Sequence, residues 1–97
     1  MINQAALSGA LAEKKAKRFT PAGLPVLELI LAHESEVTEA GLTRKITFEV
    51  KAKAVGPVAE RIEQVSLGRK IRATGFLAPS RQHSKQISFH MTDFELE

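Results

Sequence analysis

The stretch from Leu42 to Lys53 constrains the fold more than any other part of the chain, because its apolar and polar residues alternate. Successive side chains of a β-strand point to opposite faces, so this pattern predicts a strand with one buried face and one solvated face. The predicted buried face consists of Ile46, Phe48, Val50 and Ala52, and the solvated face of Thr43, Lys45, Thr47, Glu49, Lys51 and Lys53. Such a strand needs a sheet that covers its apolar face, and its basic outer row would suit a polyanion.

The length of 97 residues predicts a single domain spanning residues 1–97. The formal net charge is +3, which permits a nucleic-acid partner without demanding one. The charge is unevenly distributed, since Met1–Val26 contains only one carboxylate, Glu13, and Gly68–Met91 contains none. This pattern along the chain is more informative than the net charge.

Several classes of function find no support in the sequence. The chain has no cysteine, which excludes disulfides, thiolate metal sites and a catalytic thiol. His33, His83 and His90 lack the spacing of metal ligands, and no glycine-rich phosphate loop is present. We therefore expect no cofactor, no metal and no enzymatic activity. Without a secretory signal or a run of about 20 apolar residues, we also expect a cytoplasmic protein with no membrane partner.

The rest of the chain predicts four more strands and one helix. Pro57–Val65 has apolar residues at helical spacing behind a proline, which predicts a short amphipathic helix. The polar segments Glu36–Gly41 and Pro79–Ser84 are predicted loops. The further predicted strands are Ile2–Leu11, Leu24–Ser35, Arg69–Ala78 and Lys85–Glu97. This order predicts an all-β protein, a five-stranded OB-fold barrel with a short helix between strands 3 and 4.

The phenylalanines provide a test of this assignment. Phe48 and Phe89 lie on predicted core positions, and Phe94 joins them if a bulge near Thr92–Asp93 shifts the alternation of the last strand. Phe19 and Phe76 lie off the core pattern. Phe19 could stack on a base, although packing into a dimer or a cluster of loops is the preferred interpretation.

OB-folds bind oligonucleotides on the outer face of strands two and three, between the loops that follow strands one and four. Here those loops are Lys14–Gly23 and Pro79–Lys85, and both are basic. A simpler interpretation of the lysines in Leu42–Lys53 is a solvated strand face. For the cations in Lys14–Gly23, the simpler interpretation is that they protect a strand edge from aggregation. The predicted phosphate-contacting residues are Lys17, Arg18, Arg44, Lys45, Lys51, Arg81 and Lys85.

Five short motifs occur in order along nearly the whole chain: Leu7–Gly9, Pro21–Pro25, Leu31–Ser35, Glu39–Leu42 and Gly75–Phe76. Together they resemble the primosomal replication protein N (PriB) family, which is related to bacterial single-stranded DNA-binding proteins. The resemblance implies a homodimer of OB-folds without catalytic activity. It also implies that the chain joins single-stranded DNA to the PriA helicase in replication restart and helps to recruit a helicase-loading protein.

The resemblance carries over to the binding positions only in part. Arg18 matches the family's basic position before the first turn, and Arg81 and Lys85 match its basic positions before the last strand. Thr47 stands where the family has a tryptophan, and Glu34 where it has a basic residue. Stacking of a base on an aromatic side chain is worth ~1–3 kcal/mol. We therefore expect weaker single-strand binding than the family pattern implies, with more weight on the bridging of proteins.

Two other functions stay open from the sequence. The first is an OB-fold adaptor between proteins that has little DNA affinity of its own. The second is an RNA-binding OB domain. The sequence favours the DNA-binding accessory protein over both.

Overall fold

Residues 1–97 of the chain are described by a computed structural model. Most of the chain lies in strands, and the single helix has seven residues. The elements are β1 (Ala5–Lys14), β2 (Arg18–Phe19), β3 (Pro25–Glu39), β4 (Leu42–Val55), α1 (Pro57–Glu63), β5 (Lys70–Pro79) and β6 (Ile87–Leu96).

The sheet closes into a barrel because β1 pairs with two different strands. Its residues Ala5–Ala10 pair with β5, and its residues from Ala10 to Lys14 pair with β3. The change of partner falls at Ala10, and a shift of register between Leu11 and Glu13 follows it within the pairing with β3. The remaining neighbours follow the order β5-β6-β4-β3, with β4 and β6 parallel. The predicted OB-fold barrel is thus confirmed, with the two-residue β2 as an addition.

The core is built from alternate residues of the long strands. Leu27, Leu29 and Leu31 of β3 are buried as predicted, and Ala52 and Ala54 of β4 lie opposite the first two. Each fully buried leucine contributes about 1.5–3 kcal/mol. Small alanines on β4 leave room for the helix, which buries its own apolar residues in the same cluster.

Helix α1 packs against this cluster through Val58, Ala59 and Ile62. Pro57 occupies its first turn, where a missing N–H costs nothing. The helix ends at Glu63, two residues before the predicted end at Val65. Val65 nevertheless packs against the core, so the predicted apolar face is correct and only the helix end differs.

The predicted loop Glu36–Gly41 is wrong, because β3 and β4 pair without interruption from Val26↔Val55 to Glu39↔Leu42. Ala40 (φ 53°) and Gly41 (φ 78°) form the two-residue turn. Positive φ at both central residues is the hairpin geometry that suits the right-handed twist of paired strands. The end of this hairpin, Ser35–Ile46, extends beyond the barrel and is called the distal hairpin below. Its polar residues gave no core signal because neither of its faces is covered.

The phenylalanine assignments turn out differently from one another. Phe89 and Phe94 are buried as predicted, and Thr92 is an extra residue in β6, because Asp93 lies opposite Thr74 whereas Met91 lies opposite Gly75. The predicted bulge is therefore confirmed. The predicted burial of Phe48 is wrong, since its side chain is 43% exposed. Phe48 points to the same side of the sheet as the core residues of β4. It lies near the distal hairpin, however, where no other element covers this side.

A glycine at the bulge allows β5 to approach β6 closely. A Cβ on Gly75 would lie 1.8 Å from the carbonyl oxygen of His90, and a Cβ on Gly9 would lie 2.9 Å from that of Ala32. Both obstructing atoms are backbone, so a strand must move. We expect Gly75→Ala to lower the free energy of unfolding by about 2–3 kcal/mol and Gly9→Ala to lower it by less, about 1 kcal/mol. Urea denaturation measures both, and equal losses or the reverse order would contradict this account.

Candidate nucleic-acid interface

The outer face of β3 and β4 carries the predicted lysine row. Directly opposed residues of antiparallel strands point to the same face. Lys53 lies opposite Glu28, Lys51 opposite Ile30, and Lys45 opposite Glu36. The three lysines therefore share one face, together with acidic residues of β3 that the pattern of β4 alone did not reveal. Arg44 directly precedes Lys45 in β4, so it points to the opposite face.

Four of the seven predicted contact residues are in ion pairs. Lys17 Nζ lies 3.0 Å from Glu60 and 3.1 Å from Glu63, so α1 neutralises this cation. Hydrogen bonds to these two carboxylates raise the pKa of Lys17 above its usual value. The other three pairs are Arg18–Glu28, Arg44–Glu39 and Lys45–Glu34. Exposed pairs of this kind contribute about 0–1 kcal/mol, so a phosphate can replace the carboxylate at small cost.

The other three residues, Lys51, Arg81 and Lys85, are in no ion pair. Lys51 lies on the outer face of β4, whereas Arg81 and Lys85 belong to the loop between β5 and β6. Ser80 N–H donates to the Gln86 carbonyl (2.8 Å), and Ser84 N–H donates to the Arg81 carbonyl (2.9 Å). These bonds close the loop on itself, so its two cations project from a defined turn.

Position 47 does not provide an aromatic platform. Thr47 lies opposite Glu34 on the outer face, and Glu34 is ion-paired with Lys45 (2.9 Å). The hydrogen bond from Lys45, with its positive charge, lowers the pKa of Glu34. The carboxylate is therefore charged at neutral pH, and the ammonium group of Lys45 offsets its charge.

An aromatic pair lies elsewhere on the outer face, and the sequence pattern did not identify it. Phe76 of β5 and His90 of β6 are directly opposed, and their rings are stacked with centroids 5.0 Å apart and planes 23° apart. Lys53 of β4 is the next residue across the sheet, opposite His90. Burial, and secondarily the charge of Lys53, lowers the pKa of His90. The available signal was the alternation of Phe76 with Gly75 and Leu77 in β5.

A groove of about 730 Å³ lies between β1 and the β3–β4 pair. His33 Nδ1–H donates to the Ser8 carbonyl (2.6 Å), and its Nε2 accepts from the Ser35 hydroxyl (2.8 Å). Phe48 lines the groove beside His33, with ring centroids 4.8 Å apart. From Ala5 to Gly9, β1 pairs only with β5, so its other edge faces this groove unpaired. The sequence pattern missed this surface because His33 and Phe48 point to the same side of the sheet as the core residues.

Comparisons with known proteins agree with this architecture. A family model described as another single-strand binding protein family matches residues 3–93. The replication restart protein PriB of Bordetella pertussis is 43% identical over 90 residues, covering 93% of this chain and 84% of that protein. The chain belongs to the PriB family. PriB of Nitrosomonas europaea is 38% identical over 91 residues, covering 94% of this chain and 84% of that protein.

A solved member of the PriB family extends the similarity to the structure. PriB of Ralstonia solanacearum superposes with a TM-score of 0.91 at 31% identity, covering 100% of this chain and 99% of that one. The resemblance to PriB proposed from five short motifs is thereby confirmed. The relatives are named for replication restart and for binding of single strands, and none of these names denotes an enzyme. No helix in the structure has the length and hydrophobicity that crossing a bilayer requires.

The stacked imidazole offers a measurable test of the outer-face geometry. Its pKa is lowered, so His90 contributes stability that is present above ~6.5 and is lost as the pH falls toward its folded value. We expect NMR titration of the His90 ring to give a midpoint below ~6.5. In Lys53→Met the midpoint should rise but stay below the usual value, because burial is the larger cause.

Lys51→Met provides the matched control, because it removes the same charge from the same face of β4, two residues away. The charge of Lys51 is not among the causes of the shift, so this variant should leave the midpoint in place. Equal effects of the two substitutions would contradict the specific placement of Lys53 beside the ring.

Proposed function

We propose that this chain is an accessory protein of replication restart that binds single-stranded DNA in the cytoplasm and connects it to the PriA helicase. The observation that carries the proposal is the position of unpaired cations in a barrel of the PriB family. Lys51 lies on the outer face of β4, and Arg81 and Lys85 lie on the loop after β5. This is the part of an OB-fold that binds oligonucleotides.

The binding mechanism is electrostatic. Lys51, Arg81 and Lys85 contact phosphates directly, and each contact releases condensed counterions. Arg18 and Lys45 contribute by exchanging an exposed carboxylate, Glu28 or Glu34, for a phosphate. No constellation of side chains reads base edges, so binding tolerates any sequence. The acidic residues of β3 and β4 keep the affinity moderate, which fits a protein that also acts through protein partners.

An oligonucleotide titration at several salt concentrations tests the phosphate contacts. With a fluorescein-labelled oligothymidylate, we expect anisotropy to report binding that weakens steeply with salt. Lys51→Gln and Lys85→Gln should each weaken binding and flatten the slope of log K against log salt by about 0.7, the value for one single-strand phosphate contact. The control is Arg69→Gln, which removes one exposed, unpaired charge from the turn between α1 and β5, outside the proposed interface. Equal slopes in all variants would remove Lys51 and Lys85 from the interface.

The ion pairing of four predicted contacts favours a second candidate function, the adaptor between proteins. An adaptor would bind no oligonucleotide at low salt yet would be retained by immobilised PriA. The same titration with an oligouridylate distinguishes the RNA-binding alternative, because a clear preference for RNA over DNA would support it. Retention of the helicase-loading protein by the chain bound to PriA tests the remaining partner.

We further propose that the chain is a homodimer and that the groove between β1 and the β3–β4 pair is its interface. Val37, Leu42 and Phe48 are exposed apolar residues on one face of the β3–β4 hairpin, and Leu42 is 70% exposed. The unpaired edge of β1 from Ala5 to Gly9 offers hydrogen-bonding groups to a strand of a second copy. A two-fold axis would bring the same edge and the same apolar residues of both copies together.

Light scattering coupled to size exclusion tests the dimer. The chain mass is 10.6 kDa, so we expect a species of twice that mass. Phe48→Glu should shift the species toward the monomer, because it places a charge in the apolar interface. Leu67→Glu changes another exposed residue, one that follows α1 and lies outside the groove, and should leave the dimer intact. A monomeric wild-type chain would contradict the proposal.

A further inference from the structure

We propose that Phe76 and His90 form a stacking subsite for one base of a bound single strand, beside the phosphate-contacting lysines of β4. The inference rests on the proposed DNA binding and adds to it a place for a nucleobase. The ligand class is any nucleobase of a single strand, because every base offers a π-face.

The subsite is placed by the registers of four neighbouring strands. Glu28, Lys53, His90 and Phe76 follow one another across β3, β4, β6 and β5. Neighbouring strands lie about 4.8 Å apart, so the row is continuous on the outer face. Lys51 shares the outer face of β4 with Lys53. A strand whose phosphates contact these lysines therefore has its bases within reach of the aromatic pair.

Phe76 presents an accessible ring on the outer face of the sheet. The residues before and after it in β5 lie opposite the core residues Met91 and Phe89, so Phe76 itself points outward, and it is 37% exposed. The stack with His90 fixes the orientation of both rings before any ligand arrives. A base that stacks on a preoriented ring orders no additional side chain, and this favours binding.

Charge also distinguishes this pair from the other exposed aromatic residues. Lys53 is in no ion pair, so its charge is available to a phosphate next to the stacked base. Phe19 instead lies beneath Lys17, 5.6 Å from ring centroid to Nζ, and that lysine is held by two glutamates. Phe48 lies in the groove and points to the face of β4 opposite to that of the lysines. Only Phe76 and His90 combine an accessible ring with an unpaired cation on the outer face.

The aromatic ring available for stacking thus lies on β5 and β6, and not at position 47 of β4, where the family resemblance implies a tryptophan. Position 47 carries a threonine opposite Glu34, so it offers no ring on which a base can stack. The Phe76–His90 pair lies across β6 and β5, on the other side of the lysines from Glu34. The bound strand thus continues past the lysines of β4 toward β5.

The absence of tryptophan and tyrosine from the chain makes the test direct. In Phe76→Trp, the introduced indole is the only tryptophan or tyrosine fluorophore of the chain. We expect oligothymidylate binding to quench its emission, because a thymine stacks on it. An oligonucleotide of the same length made of abasic residues keeps the phosphates and should bind without quenching. Leu67→Trp places the indole outside the outer face, after α1, and should show no quenching with either probe.

Affinity measurements on the same probes separate the subsite from the phosphate contacts. We expect Phe76→Leu, which keeps an apolar side chain without a π-face, to weaken oligothymidylate binding at least fivefold with an unchanged salt slope. His90→Phe should keep the affinity within twofold, because the stack is retained. Thermal melting followed by circular dichroism establishes that each variant is folded.

The outcomes are distinguishable. Binding of the wild-type chain together with unquenched Phe76→Trp and unchanged affinity of Phe76→Leu would overturn the subsite and leave the proposed DNA binding intact. A wild-type chain that binds no oligonucleotide at low salt would overturn both. Quenching by oligothymidylate alone, with a fivefold loss in Phe76→Leu, would support both.

Discussion

The antiparallel pairing of β3 with β4 is the constraint on which the rest of the structure depends. It runs without a break from Val26↔Val55 to Glu39↔Leu42. Because side chains alternate along both strands, one register assigns every residue of the hairpin to a face. The same register that buries Leu29 against Ala52 places Lys51 and Lys53 outside. A slip by a single residue would exchange the core with the proposed interface.

The sequence pattern was sufficient for those parts of the fold in which burial and alternation coincide. The leucines of β3, the helix and the shifted parity of β6 all followed from local periodicity. The pattern failed where no other element packs against a strand, as at Phe48 and in the distal hairpin. Parity determines the side of the sheet to which a residue points, but only the tertiary arrangement determines whether another element covers that side.

The candidate interface shows the same limit in terms of charge. Lys17 and Arg18 belong to a basic segment of the chain, yet Glu60, Glu63 and Glu28 meet them from other elements. A carboxylate-poor stretch of sequence is therefore not a carboxylate-poor surface. Lys51 and the loop cations, by contrast, are in no ion pair. The Phe76–His90 pair was equally hidden, since its two members are 14 residues apart and meet only through the register of β5 and β6.

The two partners of β1 have a consequence for synthesis on the ribosome. Its first half needs β5, which ends at Pro79, and β6 must then insert between β5 and β4. A nascent chain therefore cannot complete the barrel until its C-terminal strand has left the exit tunnel. Until then the apolar sides of β3 and β4 lack their cover, and contacts between distant segments form slowly. The apolar surface and open strand edges of the incomplete barrel therefore favour aggregation during synthesis, however small the finished barrel is.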